Sequence, residues 1–312
     1  MHTRSLGSSG LQVSELGLGC NNFAARIDEA ASRAVVHAAL DAGINFFDTA
    51  DTYGNKGGSE TLLGKILGER RRDVILGTKF ASPMRAGITR ENASRRYILR
   101  AIEGSLARLR TDWIDVYWLH WPDPLTPMQE TLRALDDVIH AGKVRYIGAC
   151  NLNGWQTVEA QWLARELGTQ HFICAQNAYN LLERAPEAEL LPALAAYHLS
   201  LVPYYPLASG MLAGRYQRGA AAPAGSRFAD WQHLGRRYQT DANWQRVAKL
   251  QGWCDAHRRS LLDVALAWLL AHREVASVIT GASRPEQVTQ NAGTIAWRMT
   301  DAERAEVDAL LG

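Results

Sequence analysis

The sequence has no apolar run near the roughly 20 residues that span a bilayer, and its N-terminus lacks the apolar core of a signal peptide. It has almost no charge imbalance: 34 Lys and Arg against 32 Asp and Glu leave +2 over 312 residues. That excludes a broad field able to hold nucleic acid or an anionic membrane. Cysteine is scarce, with Cys20, Cys150, Cys174 and Cys254 scattered and never at a Cys-x-x-Cys spacing. Such thiols read as reduced groups of a cytoplasmic protein, not as a disulfide framework. His-Glu-x-x-His and clustered Cys/His patterns are missing, so no metal is expected. Asn92-Ala93-Ser94 matches a glycosylation sequon, which has no meaning without secretion. The basic run Arg70-Arg71-Arg72 falls between a helix and a strand, where it is expected to complement the helix dipole.

What is present is apolar and periodic. Hydrophobic residues make up 47% of the chain, enough for a large core. Arg4-Ser5-Leu6 and Leu11-Gln12-Val13 flank Gly7-Ser8-Ser9-Gly10, a hairpin signal. Eight short apolar segments then predict strands at 16–20, 45–49, 74–79, 114–120, 144–150, 172–176, 201–205 and 275–280. They are apolar nearly throughout, as when both faces of a parallel sheet are buried. Helical patterns intervene, for example at 32–42, 93–109 and 263–271. Gly43, Gly142 and Gly168 stand where left-handed caps are wanted. Ser59, Thr126-Pro127 and Asp301 read as helix starts. Eight β-then-α units in unbroken series predict one (β/α)8 barrel domain over 1–312, ending on a capped helix at 300–311. A doubly wound sheet is the alternative architecture. The stretch 207–240, rich in Gly, Ala and Arg, is expected to be a long irregular loop with a functional role.

Barrel active sites stand at the C-terminal ends of the strands. Five successive strands end on a polar residue, Asp48, Lys79, His120, Asn151 and Gln176, and Tyr53 follows Asp48 by five positions. Singly these read as a cap, a solvated lysine or a structural histidine. Together, an acid, an amine, an imidazole and a phenol suit the reduction of a carbonyl. The developing alkoxide needs a proton, and a tyrosine of pKa about 10 holds one at neutral pH. A lysine cation beside it is expected to lower that pKa toward the working range. Asp48 can supply the counter-ion a buried lysine needs. His120 can bond the substrate oxygen or share the proton relay. Hydride must come from a cofactor.

Six ordered motifs carry a resemblance over essentially the whole chain. They are Phe47-Asp48-Thr49-Ala50-Asp51-Thr52-Tyr53-Gly54, Gly77-Thr78-Lys79, Trp118-Leu119-His120-Trp121-Pro122-Asp123, Ile147-Gly148-Ala149-Cys150-Asn151, Pro203-Tyr204-Tyr205-Pro206-Leu207, and Gly281-Ala282-Ser283-Arg284-Pro285-Glu286-Gln287. In this order they resemble the aldo-keto reductases. The opening hairpin is similar to that family's plug at the barrel bottom. The resemblance implies an NADPH-dependent oxidoreductase with a tetrad of Asp48, Tyr53, Lys79 and His120, Tyr53 being the general acid-base. It implies that Asn151 and Gln176 hold the nicotinamide carboxamide and that Tyr204 stacks on the nicotinamide ring. Leu207, Ser209, Gly210, Leu212 and Gly214 would close over the pyrophosphate, and Ser283, Arg284, Gln287 and Asn291 would take the adenosine and 2′-phosphate. A helix N-terminus and an arginine fork both suit phosphate. The chain departs from the commoner family pattern at three places. Cys150 and Tyr205 stand where serine is frequent, and Gly281-Ala282 replaces a lysine-serine pair, leaving Arg284 and Ser283 as the 2′-phosphate candidates.

Alternation along a strand expects Tyr204 to face the cofactor and Tyr205 the wall. Trp118 is expected to pack, and Trp121 to line the mouth. Phe23, Met84, Trp121 and Trp231 are the substrate-pocket candidates, while His37 and His257 are expected on the surface. Loops 21–28, 79–89 and 207–240 would set the substrate. Their aromatic residues point to an apolar or aromatic aldehyde or ketone, or to a sugar ring. The expected partner is such a small molecule, with no nucleic acid and no membrane; the sequence leaves the oligomeric state open. A Rossmann dehydrogenase would need a third glycine that Gly17-Leu18-Gly19-Cys20-Asn21-Asn22 lacks. A phosphate-binding isomerase barrel would take no nicotinamide. The remaining alternative is a non-catalytic or regulatory nicotinamide-binding barrel resembling a potassium-channel β-subunit. No long extension precedes the barrel motifs, which favours a free-standing enzyme.

Overall fold

The computed structural model describes residues 1–82, 84 and 92–312. Strands β1 (Thr3–Ser5) and β2 (Gln12–Ser14) form the antiparallel hairpin. Then come β3 (Leu16–Gly19), β4 (Phe46–Asp48), β5 (Ile75–Phe80), β6 (Ile114–Leu119), β7 (Val144–Cys150), β8 (Cys174–Gln176), β9 (Ser200–Leu201) and β10 (Val278–Gly281). These eight pair in parallel in chain order, with β10 beside β3. Backbone hydrogen bonds close the ring between the last neighbours: Leu201 donates to Glu274 at 2.7 Å, Ala276 to Leu201 at 3.0 Å and Ile279 to Pro203 at 3.0 Å. The result is a (β/α)8 barrel wrapped by helices.

Strand parity decides what faces the barrel axis. Phe46, Val116, Trp118, Cys150, Cys174, Val202 and Ile279 form an inner core of their own, which Leu6 and Val13 of the hairpin seal. The hairpin is tied to strand starts: Ser14 donates to Asn45 Oδ1 and Gly7 to Ser200 Oγ. It therefore closes the N-terminal end. The indole of Trp118 fills the middle because Gly77 and Gly148 leave room for it. A Cβ on either would lie 2.8 or 2.4 Å from that ring. Two residues further along the same inward rows come Asp48, Lys79, His120 and Gln176. The parity that buries the inner core thus carries these polar groups to the C-terminal rim.

Several local expectations change. Strand β9 ends at Leu201, not 205, because Pro203 has no N–H to donate and Tyr205 is left-handed (φ 53°). The stretch 207–240 is irregular only in part, over 214–226. It contains a 3-10 turn (Ala208–Ala213) and helices Arg227–Asp230 and Gln232–Tyr238, too short to show a period, with Phe228, Leu234 and Tyr238 buried. Arg71 does not serve a helix dipole. It is buried, pairs with Asp115 at 2.8 Å and donates to the carbonyls of Val74 and Trp113. Ser59 does not cap a helix through its hydroxyl, which donates to Cys20 O and bonds Thr49 Oγ1. Gly43, Gly142 and Gly168 do take the left-handed conformation after their helices. Among the described residues no helix is long and apolar enough to cross a membrane.

Candidate active site

A cleft of about 910 Å³ opens on the C-terminal rim. At its floor lies Lys79, fully buried. Its Nζ donates to Asp48 Oδ2 and, at 2.8 Å, to the carbonyl of Thr49. Gln176 Nε2 donates to the other Asp48 oxygen at 3.1 Å. Tyr53 opens helix Tyr53–Leu67, but Gly54, Asn55, Lys56 and Gly57 all have positive φ, so regular turns begin only beyond them. At Gly54 a Cβ would sit 2.5 Å from Phe23 O, so this turn demands glycine. The turn sets the phenol ring 4.9 Å from Lys79 Nζ, measured to the ring centroid, and edge-on to His120 at 5.8 Å. Asn151, left-handed at the end of β7 (φ 61°), donates to His120 O at 2.9 Å and accepts the Tyr204 hydroxyl at 2.8 Å.

Burial dominates the electrostatics. It pushes the Tyr53 phenol up to about 12, against the pull of Lys79. The expectation that the lysine brings this phenol down toward neutrality therefore fails, because desolvation of a phenolate outweighs one nearby cation. Burial and then Lys79 hold His120 well below the usual imidazole range, so it is neutral. Burial alone would lower the Lys79 ammonium, but Asp48 and Tyr53 beside it raise it on balance, and it stays charged.

The opposite end of the cleft is cationic. Arg26, Arg215, Arg227 and Arg284 all line it, while among the described residues Asp48 is the single carboxylate on the lining. Arg26 pairs with Asp230 at 2.8 Å. Among the described residues Arg215, Arg227 and Arg284 form no ion pair. Arg227 lies between Tyr205 and Trp231, 5.8 and 5.5 Å from their ring centroids, and donates to Asn21 Oδ1 at 3.1 Å. Burial, then the neighbouring cations Arg284 and Arg26 against the pull of Tyr216, lower the Arg215 guanidinium. Ser209 Oγ is buried on this lining with no partner among the described residues. Among the described residues no group of three or more His, Cys, Asp or Glu is placed to hold a metal.

The model of the Aldo/keto reductase family matches residues 15–311. The chain belongs to the aldo/keto reductase family. It is 38% identical over 298 residues to a probable voltage-gated potassium channel subunit beta of Oryza sativa subsp. japonica, covering 93% of this chain and 90% of that one. A protein of the same description from Arabidopsis thaliana is 36% identical over 300 residues, with 93% and 90% covered. The uncharacterized oxidoreductase YrpG of Bacillus subtilis (strain 168) is 37% identical over 293 residues, with 91% and 87% covered. Membership puts this barrel among oxidoreductases.

The aldo/keto reductase cleft gathers most of the residues singled out in the sequence. Asp48, Tyr53, His120, Trp121, Asn151, Gln176, Tyr204, Leu207, Ser209, Gly210, Ser283, Arg284 and Gln287 line it, with Lys79 directly beneath. Leu212 instead packs in the core, Gly214 caps the 3-10 turn, and Asn291 is buried one turn beyond Gln287. Phe23 does not reach the cleft. It is fully buried, because the Gly54 turn folds over its backbone. Trp231 faces a smaller neighbouring groove with Ala25, Arg26, Ile27 and Ser283, drawn there by Arg26 and Arg227. Met84 is half-buried and off the lining, and the rest of loop 79–89 beyond Ser82 lies outside the described residues. Tyr205 does not enter the wall. Its left-handed φ breaks strand alternation, and both tyrosines line the cleft with rings 5.0 Å apart. Sequence reasoning missed Ser82, Arg26, Arg215 and Arg227; the last two lie in the arginine-rich stretch 207–240, the one signal that could have found them.

Proposed function

We propose that this chain is an NADPH-dependent aldo-keto reductase that moves a hydride between nicotinamide and the carbonyl carbon of an aldehyde, ketone or sugar hemiacetal. The observation that carries it is the Tyr53 phenol set beside a buried Lys79–Asp48 pair and the His120 imidazole at the floor of a cleft whose lining also collects Arg215, Arg227 and Arg284, which form no ion pair among the described residues.

The residues present fit a dinucleotide phosphate. Arg215, Arg227 and Arg284, with no carboxylate partner among the described residues, and the Ser209 hydroxyl, with no partner among them either, are what phosphate oxygens require. Leu207, Ser209 and Gly210, with Arg215 and Arg227, would hold the pyrophosphate. Ser283, Arg284, Gln287 and Asn291 would hold the adenosine end, Asn151 and Gln176 the carboxamide, and Tyr204 the nicotinamide face. The bound cofactor supplies the hydride. Tyr53 gives its proton to the substrate oxygen as charge develops there, and Lys79 stabilises the phenolate left behind. Asp48 keeps Lys79 oriented and neutralised in the interior. Neutral His120 hydrogen-bonds the same oxygen. Trp121, stacked on His120 at 5.9 Å and 41% exposed, offers an apolar platform at the mouth for an aromatic, aliphatic or sugar substrate. A second reading, a nicotinamide-binding barrel with a regulatory role, draws its support from the descriptions of the rice and Arabidopsis relatives.

The test is a panel of aldehydes, ketones and sugars followed by NADPH absorbance, beside titrations of NADPH and NADH. Steady turnover supports the reductase; tight NADPH binding without turnover of any carbonyl supports the regulatory reading. Two variants check the cofactor assignment. Arg284 is exposed and stands at the start of helix Pro285–Thr294, so its contact with a 2′-phosphate is partly screened by water. Arg284→Ala should weaken NADPH roughly tenfold, the low end for a charge-assisted hydrogen bond, with NADH unchanged and the effect shrinking in salt. Equal losses for both cofactors, or a wild-type preference for NADH, overturn the NADP assignment. Tyr204→Ala should cost about 1 kcal/mol or more of cofactor binding, the scale of a lost aromatic contact, and it also frees Asn151 Oδ1. Unchanged titration of this variant would remove Tyr204 from the cofactor site.

A further inference from the structure

We infer that Ser82 is a positioning residue that fixes the tautomer of His120, so that the imidazole presents an Nε2–H to the cleft. What that donor then does, bonding the carbonyl oxygen, rests on the reductase reading above.

The geometry begins where β5 stops. Ala81, buried and left-handed at φ 68°, turns the chain sharply after Phe80. A non-glycine residue tolerates this conformation only when its surroundings hold it there. Here they do. The Tyr97 hydroxyl, which also reaches Asp51 Oδ2 at 3.4 Å, donates to the carbonyl of Ser82 at 3.0 Å. The turn brings the buried Ser82 hydroxyl to the cleft wall, with Oγ 3.0 Å from His120 Nδ1. The histidine is held on its own account, since its amide donates to Phe80 O at 2.9 Å and its carbonyl accepts from Asn151 Nδ2. Only the ring's orientation and protonation pattern are left for a side-chain partner to decide.

A neutral imidazole has one N–H and one lone pair, and the two tautomers do opposite work at a substrate oxygen. Burial and the Lys79 cation keep His120 neutral. Among the described residues the Ser82 hydroxyl has one partner, Nδ1. With the hydroxyl donating, Nδ1 accepts, Nε2 carries the proton, and the cleft receives a donor. The reverse polarity leaves the serine proton without an acceptor among the described residues and points a lone pair at the cleft. A buried donor left unmade is the costlier choice.

The polarity can be read without turnover. In the full-length protein labelled with ¹⁵N, the ring nitrogens of His120, assigned by difference from His120→Gln, should show Nε2 protonated and Nδ1 bare. Ser82→Ala should give a mixture of tautomers, and Ser82→Thr should restore the single form. A wild-type ring protonated on Nδ1, or a Ser82→Ala ring with wild-type tautomer populations, overturns the inference. With NADPH and a carbonyl substrate, Ser82→Ala should lose roughly five- to tenfold in kcat, the scale of one hydrogen bond, with NADPH affinity unchanged. Ser82→Thr should recover that loss, and in a His120→Gln background Ser82→Ala should add nothing. A full further loss in that background also overturns it. Failure of the reductase reading is distinguishable, since the wild type would then turn over nothing while the nitrogen spectra still decide Ser82.

Discussion

Tyr53→Phe is expected to lose about 10²-fold or more in turnover, the scale of general-acid catalysis, while NADPH binds as before. Phenylalanine keeps the ring edge against His120 and the face toward Lys79, so packing is conserved and only the proton is removed. The pH behaviour of the wild type follows from the same burial. With the phenol pushed up to about 12, carbonyl reduction has its acid fully protonated at neutral pH and should stay flat as pH rises until that value is approached. Alcohol oxidation needs the phenolate, so its rate should climb with pH over the same range. Turnover of Tyr53→Phe near wild type would sink the mechanism. A reduction limb falling near neutral pH would assign the proton to some other group.

The barrel was legible because its physics is written locally. Strands buried on both faces leave continuous apolar runs, and the polar residues ending them stand out. Asp48, Lys79, His120 and Gln176 share the parity of the inner core, so placing the strands already aimed them at one rim. Legibility stops where the chain leaves regular structure. Nothing in a Pro-Tyr-Tyr-Pro string shows that the second tyrosine is left-handed and turns back into the cleft. Arg227 finds its place only because Arg227–Asp230 and Gln232–Tyr238 fold across the opening and are pinned by Arg26 to Asp230. Those segments are too short to declare a helical period. Ser82 depends on the Ala81 turn, which residue type alone argues against. Phe23 reads as a pocket aromatic by its position in a rim loop, and only the close approach of Gly54 to its carbonyl shows that it lies beneath. The sign of the Tyr53 shift was missed for a different reason. Sequence shows the lysine cation but not the depth of burial that outweighs it.

Lys79→Met is expected to cost about 3–5 kcal/mol of stability, the penalty for stranding one member of a buried ion pair. Methionine fills much of the same volume, so the loss is electrostatic. Among the described residues Asp48 would keep only the Gln176 amide, in an interior where burial already raises its carboxyl. A carboxyl whose folded pKa lies above its unfolded value loses stability as pH rises through the folded value. The variant should therefore unfold more readily at neutral pH than in mild acid, when compared with wild type. Asp48→Asn combined with Lys79→Met should recover a large part of the loss, since neutral groups of similar size can replace a buried pair at little cost. Urea unfolding of the wild type, both single variants and the double variant gives the coupling directly. Turnover should fall on the scale of Tyr53→Phe in the Lys79→Met protein, and it should stay low in the double variant, because the phenolate formed on proton donation has lost its neighbouring cation. A double variant as unstable as the sum of the singles would show that Asp48 and Lys79 are held by something other than each other. Restored turnover without the lysine would remove that cation from the chemistry.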